Sequence, residues 1–170
     1  MKTLYLLRHA KSSWDDPLLA DHDRPLTPRG RRAARKLADH LQRAGVAPAL
    51  VLCSTARRAT KTLDAIMPAL EPPPDVRLEE DLYGASTEEL VHRIHEIPAT
   101  VPSAMLIGHN PGIQSAALVL AGGGKQALID RLREKMPTAA LATLELDGEW
   151  SGAAPGTARL VSFVSPRELA

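Results

Sequence analysis

Residues 4–14 read LYLLRHAKSSW, and this stretch decides the fold. Four apolar residues run directly into Arg8 and His9, and a short polar segment follows. A bounded apolar run of this length is typical of a strand that is buried on both faces of a parallel sheet. Ligand sites in open α/β sheets lie just beyond the carboxyl ends of such strands. We therefore expect Arg8 and His9 at a ligand site.

Composition excludes several classes of protein. The 170 residues include 21 basic and 20 acidic side chains, a formal net charge of +1 that disfavours an extended nucleic-acid surface but permits a local cationic pocket. The single cysteine, Cys53, excludes an internal disulfide and a multi-cysteine metal cage. No apolar run is long enough to span a membrane, and Met1 leads into the first strand without a signal-peptide pattern. We expect one cytoplasmic domain covering residues 1–170.

Strands and helices are predicted to alternate after the first strand. A helix should begin at Thr27-Pro28 and end at Gly45. A second apolar strand covers residues 49–53, and Ser54 is predicted to cap a helix with Arg57 in its first turn. A third apolar strand, residues 104–107, ends in Gly-His-Asn-Pro-Gly.

The end of the chain has a different pattern. Gly122-Gly123-Gly124 is predicted to be a flexible connection, and residues 140–146 and 160–164 to be antiparallel strands. Ser86 and Glu89 predict a capping box before another helix. Together, these elements predict a three-layer α/β/α sandwich with a mainly parallel, mixed sheet.

Three predicted strands end in basic groups, which should meet at one edge of the sheet. They are Arg8 and His9, Arg57, and His109. Two guanidiniums and two imidazoles suit a tetrahedral oxyanion, because arginine donates paired hydrogen bonds to phosphate. A histidine among them can accept a phosphoryl group on a ring nitrogen. Positioning and charge then suffice for phosphoryl transfer, so we expect no metal and no cofactor.

Three motifs carry a resemblance to a known family. Residues 8–12 read RHAKS, residues 23–27 read DRPLT, and residues 108–111 read GHNP. In this order they resemble the histidine phosphatase superfamily, which has the phosphoglycerate mutase-like fold, and within it the small branch that includes SixA phosphohistidine phosphatases. The resemblance implies that His9 is the nucleophile, that Arg8, Arg57 and His109 complete the phosphate pocket, and that the sheet has six strands, one of them antiparallel.

Residues near this constellation have further candidate roles. Larger family members supply a glutamate as general acid from an inserted segment, and Glu80 lies at a comparable place here. The alternative is that Glu80 belongs to a solvated acidic turn. Ser12 is a candidate for a further phosphate contact, and Trp14 either rims the pocket or packs beneath the following loop. His22 is interpreted as a surface residue.

Three functions remain open from the sequence. The first is a metal-independent phosphatase with a phosphohistidine intermediate, acting on phosphohistidine or another phosphoprotein and releasing inorganic phosphate. The second is a phosphatase or mutase of a small phosphoester, which the short chain disfavours because it has no inserted cap over the site. The third is a non-catalytic module that binds phosphorylated partners. No membrane or nucleic-acid partner is expected.

Overall fold

The computed structural model describes residues 1–169. This part of the chain contains one sheet of seven strands and five α-helices. In chain order they are β1 (Lys2–Arg8), α1 (Pro28–Ala44), β2 (Leu50–Ser54), α2 (Arg57–Ile66), β3 (Asp75–Glu79), α3 (Thr87–His95), β4 (Ser103–Gly108), α4 (Gly112–Leu120), β5 (Ala121–Gly124), α5 (Gln126–Glu134), β6 (Leu141–Leu146) and β7 (Ala158–Val164).

The sheet is mixed, with one strand opposed to the others. Its order is β3-β2-β4-β1-β6-β7-β5, and β6 pairs antiparallel with both of its neighbours while the other pairs are parallel. The predicted mainly parallel sheet is therefore confirmed. The antiparallel pairing of β6 with β7 also agrees with the two strands predicted near the end of the chain.

The number of strands corrects the sequence analysis. Residues 1–169 form seven strands rather than six, and the glycines expected in a flexible connection belong to the edge strand β5, which pairs with β7. A Cβ atom on Gly122 would lie 2.1 Å from the carbonyl oxygen of Gly156. Glycine is needed here because the two backbones approach so closely.

Helices cover both faces of the sheet, which confirms the three-layer sandwich. Leu37 and Leu41 of α1 and Leu63 and Ile66 of α2 are buried together on one face. Helices α3, α4 and α5 contribute to a separate cluster on the other face. Apolar side chains of β1 and β4 point alternately into the two clusters, which is why these strands read as continuous apolar runs.

The predicted helix signals act as expected. Thr27 caps α1, because its hydroxyl accepts the Gly30 N–H at 2.9 Å, and Gly45 ends the helix with φ of 66°. Ser86 and Glu89 make both hydrogen bonds of the capping box. A Cβ atom on Gly30 would lie 2.2 Å from the carbonyl oxygen of Lys11. The first turn of α1 therefore packs against the backbone that follows β1.

The parallel strands β1, β2 and β4 end at the same edge of the sheet, where the predicted site residues lie. Register pairs Arg8 of β1 with Gly108 of β4, and Cys53 of β2 with Ile107 of β4. Among the helices in residues 1–169, none combines the length and the apolar character that a membrane crossing requires.

Candidate active site

His9 follows directly after the central strand β1 and is 7% exposed. Its Nδ1 atom lies 2.7 Å from the carbonyl oxygen of Ala10. A carbonyl oxygen can only accept a hydrogen bond, so Nδ1 carries the proton. The other ring nitrogen, Nε2, then keeps its lone pair. In chemical terms, His9 is a neutral imidazole whose free nitrogen is available as a nucleophile.

Arg8 is held at the same strand end. Its Nη1 atom donates to the carbonyl oxygen of Met136 at 3.0 Å, and its Nε atom is buried without a partner among the described residues. Burial lowers the pKa of the Arg8 guanidinium, but arginine keeps its charge at neutral pH. Arg8 therefore places a fixed positive charge beside His9.

His109 follows β4 and faces His9, with the two ring centroids 5.0 Å apart. The Nε2 atom of His109 lies 2.8 Å from the hydroxyl of Ser54, the last residue of β2. That hydroxyl also accepts the N–H of Ala56 at 3.2 Å, and Ser54 is fully buried. Ser54 was expected to cap α2; instead it holds the second histidine of the site.

The arginine from α2 is Arg58, not Arg57. Arg57 is exposed. Within the described residues, its side chain makes one hydrogen bond, which it donates to the carbonyl oxygen of Asp23 at 3.4 Å. Arg58 is 6% exposed and lines the same groove as His9 and His109. The helix begins at Arg57, after Ala56, and successive helical residues point about 100° apart, so the next residue is the one directed to the site.

Asp21 holds Arg58 in place and was missed by the sequence analysis. Its carboxylate accepts from Arg58 Nη2 at 3.0 Å, from Arg24 Nε at 3.0 Å, and from the Tyr83 hydroxyl. The hydrogen bond from Tyr83, with those from Arg58 and Arg24, holds the pKa of Asp21 well below its usual range. The Asp-x-x-Arg spacing of residues 21–24 was visible in the sequence, but nothing there linked it to Arg58.

Thr62 joins helix α2 to the loop that carries His9. Its hydroxyl accepts the N–H of Ala10 at 2.9 Å and donates to the carbonyl oxygen of Arg58 at 2.7 Å. Thr62 is fully buried, so both hydrogen bonds are shielded from water. The backbone positions of His9 and Arg58 are thereby coupled.

Both histidines are neutral at neutral pH. Burial, aided by the nearby His109, Arg58 and Arg8, lowers the pKa of His9 to about 3. Burial and the charge of Arg58 lower the pKa of His109 to about 4. A neutral His9 suits a nucleophile. A neutral imidazole at His109 can still donate one hydrogen bond to an anion.

Ser12 and Trp14 also line the groove, where Arg24 organises them. The Ser12 hydroxyl accepts Arg24 Nη1 at 2.7 Å, and the guanidinium carbon of Arg24 lies 3.5 Å from the centre of the Trp14 ring. Trp14 is 75% exposed. It therefore lies at the rim of the groove and does not pack beneath the loop that follows it.

Glu80 lies away from the four basic side chains. It is exposed in the segment Glu80–Leu82, and it lines a separate acidic depression with Glu88 and Glu89. The residue that reaches the site is Tyr83, which directly follows this segment and has its ring centre 5.5 Å from that of His109. His22, expected at the surface, packs 5.0 Å from Tyr83 and hydrogen-bonds Thr55 through Nε2.

The groove around His9 has a volume of about 1200 Å³ and opens to solvent. Three buried nitrogen atoms in its walls have no partner within residues 1–169, and they are Arg8 Nε, Arg58 Nε and His109 Nδ1. Within the same residues, no three His, Cys, Asp or Glu side chains are arranged to hold a metal ion. A nucleophilic imidazole surrounded by guanidinium and imidazole nitrogen atoms can bind an oxyanion and accept its central atom.

Comparison with known proteins assigns the chain to a family. Residues 4–136 match the family described as the histidine phosphatase superfamily (branch 1). A protein of Mycobacterium tuberculosis, the uncharacterised Rv1276c, is 40% identical over 163 residues, which cover 95% of this chain and all of that protein.

Two solved structures share both the fold and substantial sequence. The SixA protein from Agrobacterium tumefaciens, a candidate phosphohistidine phosphatase, superposes with a TM-score of 0.83 and 32% identity, covering 97% of this chain and 98% of that one. Its counterpart from Nakamurella multipartitia gives a TM-score of 0.80 and 31% identity, covering 97% and 96% of the two chains. The resemblance drawn from the three sequence motifs is confirmed.

Proposed function

The chain belongs to the histidine phosphatase superfamily and is a phosphatase of its SixA-like branch, and from this premise we propose that it hydrolyses phosphohistidine in proteins. In the proposed reaction, His9 Nε2 attacks the phosphorus atom while the bond from phosphorus to the substrate imidazole breaks. Water then attacks the phosphohistidine at residue 9. The bond to Nε2 breaks, and inorganic phosphate leaves.

The surrounding residues have distinct roles in this proposal. Arg8 and Arg58 stabilise the negative charge on the transferred phosphoryl group, and His109 donates a hydrogen bond to one of its oxygen atoms. The three partnerless nitrogen atoms support this assignment, because buried donors are normally paired and a bound phosphate would pair them. The hydroxyl oxygen of Ser12 accepts the hydrogen bond from Arg24, so the hydroxyl hydrogen can still be donated to an anion at the groove wall.

One observation favours phosphohistidine over a phosphate ester. Among the described residues, the side chains that line the groove include no aspartate and no glutamate. An ester expels an alkoxide, which needs a proton from a general acid, whereas a protonated phosphohistidine expels a neutral imidazole. The site is therefore better suited to the cleavage of a P–N bond. A metal ion is not required in this scheme, because the cations of the chain supply the charge.

A matched pair of peptides tests this function. We expect kcat/KM for a phosphohistidine peptide to exceed that for the same peptide carrying phosphoserine by about 10²-fold or more, the range that general-acid catalysis supplies. Phosphoglycerates serve as small-molecule controls and should be hydrolysed slowly. Equal rates on the two peptides, or a preference for phosphoglycerates, would contradict the proposal. Treatment with a chelator should leave the rates unchanged.

A further inference from the structure

Basic side chains are concentrated in the groove far beyond the need of one phosphate. Nine of the 21 lysines and arginines line it, and none of the acidic residues that the structure describes does so. The net charge of the chain is only +1, so the rest of the surface is acidic. Arg8 and Arg58 serve the phosphoryl group. Arg24 is buried and paired with Asp21, and the other six surround open space next to the phosphoryl site.

Three of these cations form a row on α1, which we call the cationic stripe: Arg29, Arg32 and Lys36. Their spacing of three and four residues places them on one face of the helix, over a length of roughly 10 Å at 1.5 Å per residue. All three are exposed. Lys135 and Arg167 line the same groove from other segments.

The charges of the cationic stripe are not neutralised by acidic side chains of the described residues. Within residues 1–169, its three side chains make no ion pair, whereas Arg93 pairs with Glu79 and Arg159 with Glu145 elsewhere on the surface. Like charges three or four residues apart on a helix repel each other and disfavour the folded state. A row of repelling cations along a substrate groove is explained if anionic groups of a ligand lie between them.

Two exposed apolar side chains in the segment that follows β1 indicate the kind of ligand. Trp14 at the rim is 75% exposed, and Leu18 on the same loop is 92% exposed. Tryptophan, tyrosine and arginine are enriched at the energetic centres of protein interfaces. A series of aromatic rings would be expected for stacked bases, but Trp14 is the one tryptophan, tyrosine or phenylalanine among the groove-lining residues described.

We propose that the cationic stripe docks an acidic segment of the phosphorylated protein substrate, adjacent to the phosphohistidine that enters the pocket at His9. This inference rests on the proposed phosphatase function and adds the chemistry of the partner. Glutamate and aspartate side chains of the partner lie against Arg29, Arg32 and Lys36. Apolar groups of the partner contact Trp14 and Leu18. The stripe therefore selects among phosphohistidine proteins by the charge around the modified residue.

Two phosphohistidine peptides that differ only in their flanking residues, glutamate in one and glutamine in the other, test the docking. We expect wild-type kcat/KM to be about tenfold higher for the glutamate peptide at low salt, and the preference to shrink as salt is added. The double variant R32E/K36E should lose the preference. The matched control R35E/R43E reverses the same charge at two exposed positions of α1 outside the groove, and it should keep the preference.

Binding measured without hydrolysis separates this inference from the phosphatase proposal. Fluorescence anisotropy with the unphosphorylated glutamate peptide should show binding to the wild type and to R35E/R43E, and about tenfold weaker binding to R32E/K36E. If both phosphopeptides are hydrolysed at equal rates, docking is wrong and the phosphatase function stands. If neither phosphopeptide is hydrolysed but the glutamate peptide still binds through the stripe, the phosphatase proposal is wrong and the docking stands. Two other results would overturn the docking of a protein segment. One is tighter binding of a DNA oligonucleotide whose charge equals that of the glutamate peptide. The other is a small bisphosphate that is hydrolysed as fast as the glutamate peptide and loses this rate in R32E/K36E.

Discussion

The Nδ1 atom of His9 lies 2.7 Å from the carbonyl oxygen of Ala10, and this contact determines which nitrogen of the ring can react. Because Nδ1 donates its proton to that carbonyl, Nε2 is the nitrogen with a free lone pair. The N–H of the same Ala10 is held by Thr62, which also hydrogen-bonds the carbonyl oxygen of Arg58. His9 and Arg58, which have the central roles in the proposed reaction, are thus positioned by one buried chain of hydrogen bonds.

Adjacent arginines at the start of α2 should differ sharply in importance. We expect Arg58→Ala to lower kcat/KM on a phosphohistidine peptide by about 10²–10³-fold, the usual loss when one donor to transition-state charge is removed. Arg57→Ala, one residue away and exposed, should change it by less than about threefold, in line with the small effects of surface contacts. Circular dichroism of both variants checks that the fold is retained. A larger loss for Arg57→Ala would restore the assignment made from the sequence.

Glu80 should contribute little, because it lies on the surface away from the groove. We expect Glu80→Gln to leave hydrolysis of both the phosphohistidine peptide and the phosphoserine peptide within about twofold of wild type, since a general acid would be worth about 10²–10⁴-fold for an ester that expels an alkoxide. Tyr83→Phe in the neighbouring position should lower both rates, because Asp21 loses a hydrogen bond and holds Arg58 less firmly. A selective loss on the ester in Glu80→Gln would show that this residue reaches the site during turnover.

Ser54 should matter through His109. Ser54→Ala removes the hydroxyl 2.8 Å from His109 Nε2 and leaves that buried nitrogen without its partner. We expect a loss of about 1–3 kcal/mol in the free energy of unfolding, typical of an unsatisfied buried polar group. The inhibition constant of inorganic phosphate should also rise, because the His109 ring is no longer held towards the anion. Urea unfolding and product inhibition measure the two effects, and an unchanged inhibition constant would make Ser54 merely structural.

Stability should fall on mild acidification because both site histidines are buried in the neutral form. Their pKa values are lowered to about 3 and about 4, below the ordinary ~6.5 of the unfolded chain. The unfolded state therefore takes up protons first, so the stabilisation is complete above ~6.5 and is lost as the pH falls towards the folded values. Between pH ~7.5 and ~5.5 His9 should account for about 1 kcal/mol, and the more exposed His109 for less because solvent screens it.

Variants isolate this contribution from that of other groups. The free energy of urea unfolding, measured at the two pH values, should depend less on pH in His9→Asn than in the wild type. Leu18→Ala, at an exposed position without a titratable group, serves as the control and should keep the wild-type dependence. Equal pH dependence in wild type and His9→Asn would mean that His9 is protonated as readily in the folded protein as in the unfolded one.

The layers and most elements of the fold were predictable because their signals are local. Continuous apolar runs mark β1, β2 and β4, and the Thr27 cap, Gly45 and the Ser86 capping box mark helix ends within one or two turns. The strand β5 was not predictable in this way. Its three glycines have no side chains to form a pattern, and the strand exists because its backbone pairs with that of β7, 36 or 37 residues later.

Prediction of the site was limited by register and by contacts between distant segments. The strand ends placed Arg8, His9 and His109 together, since their order along the sheet follows from the parallel pairing. The choice between Arg57 and Arg58 depends on the residue at which α2 begins, and Ala56 at that cap gives no sequence signal. Asp21 is 37 residues before Arg58, so their ion pair depends on how the loop after β1 folds over the groove.

Trapping of the phosphoenzyme tests the central claim most directly. Wild-type protein mixed with a labelled phosphohistidine peptide and quenched with base should carry an acid-labile, base-stable label, located on Nε2 of His9 by phosphorus NMR and peptide mapping. His9→Ala should form no phosphoenzyme and should lose turnover while still binding inorganic phosphate. Label on another residue or on Nδ1, or a His9→Ala variant that keeps a tenth or more of wild-type activity, would contradict the account.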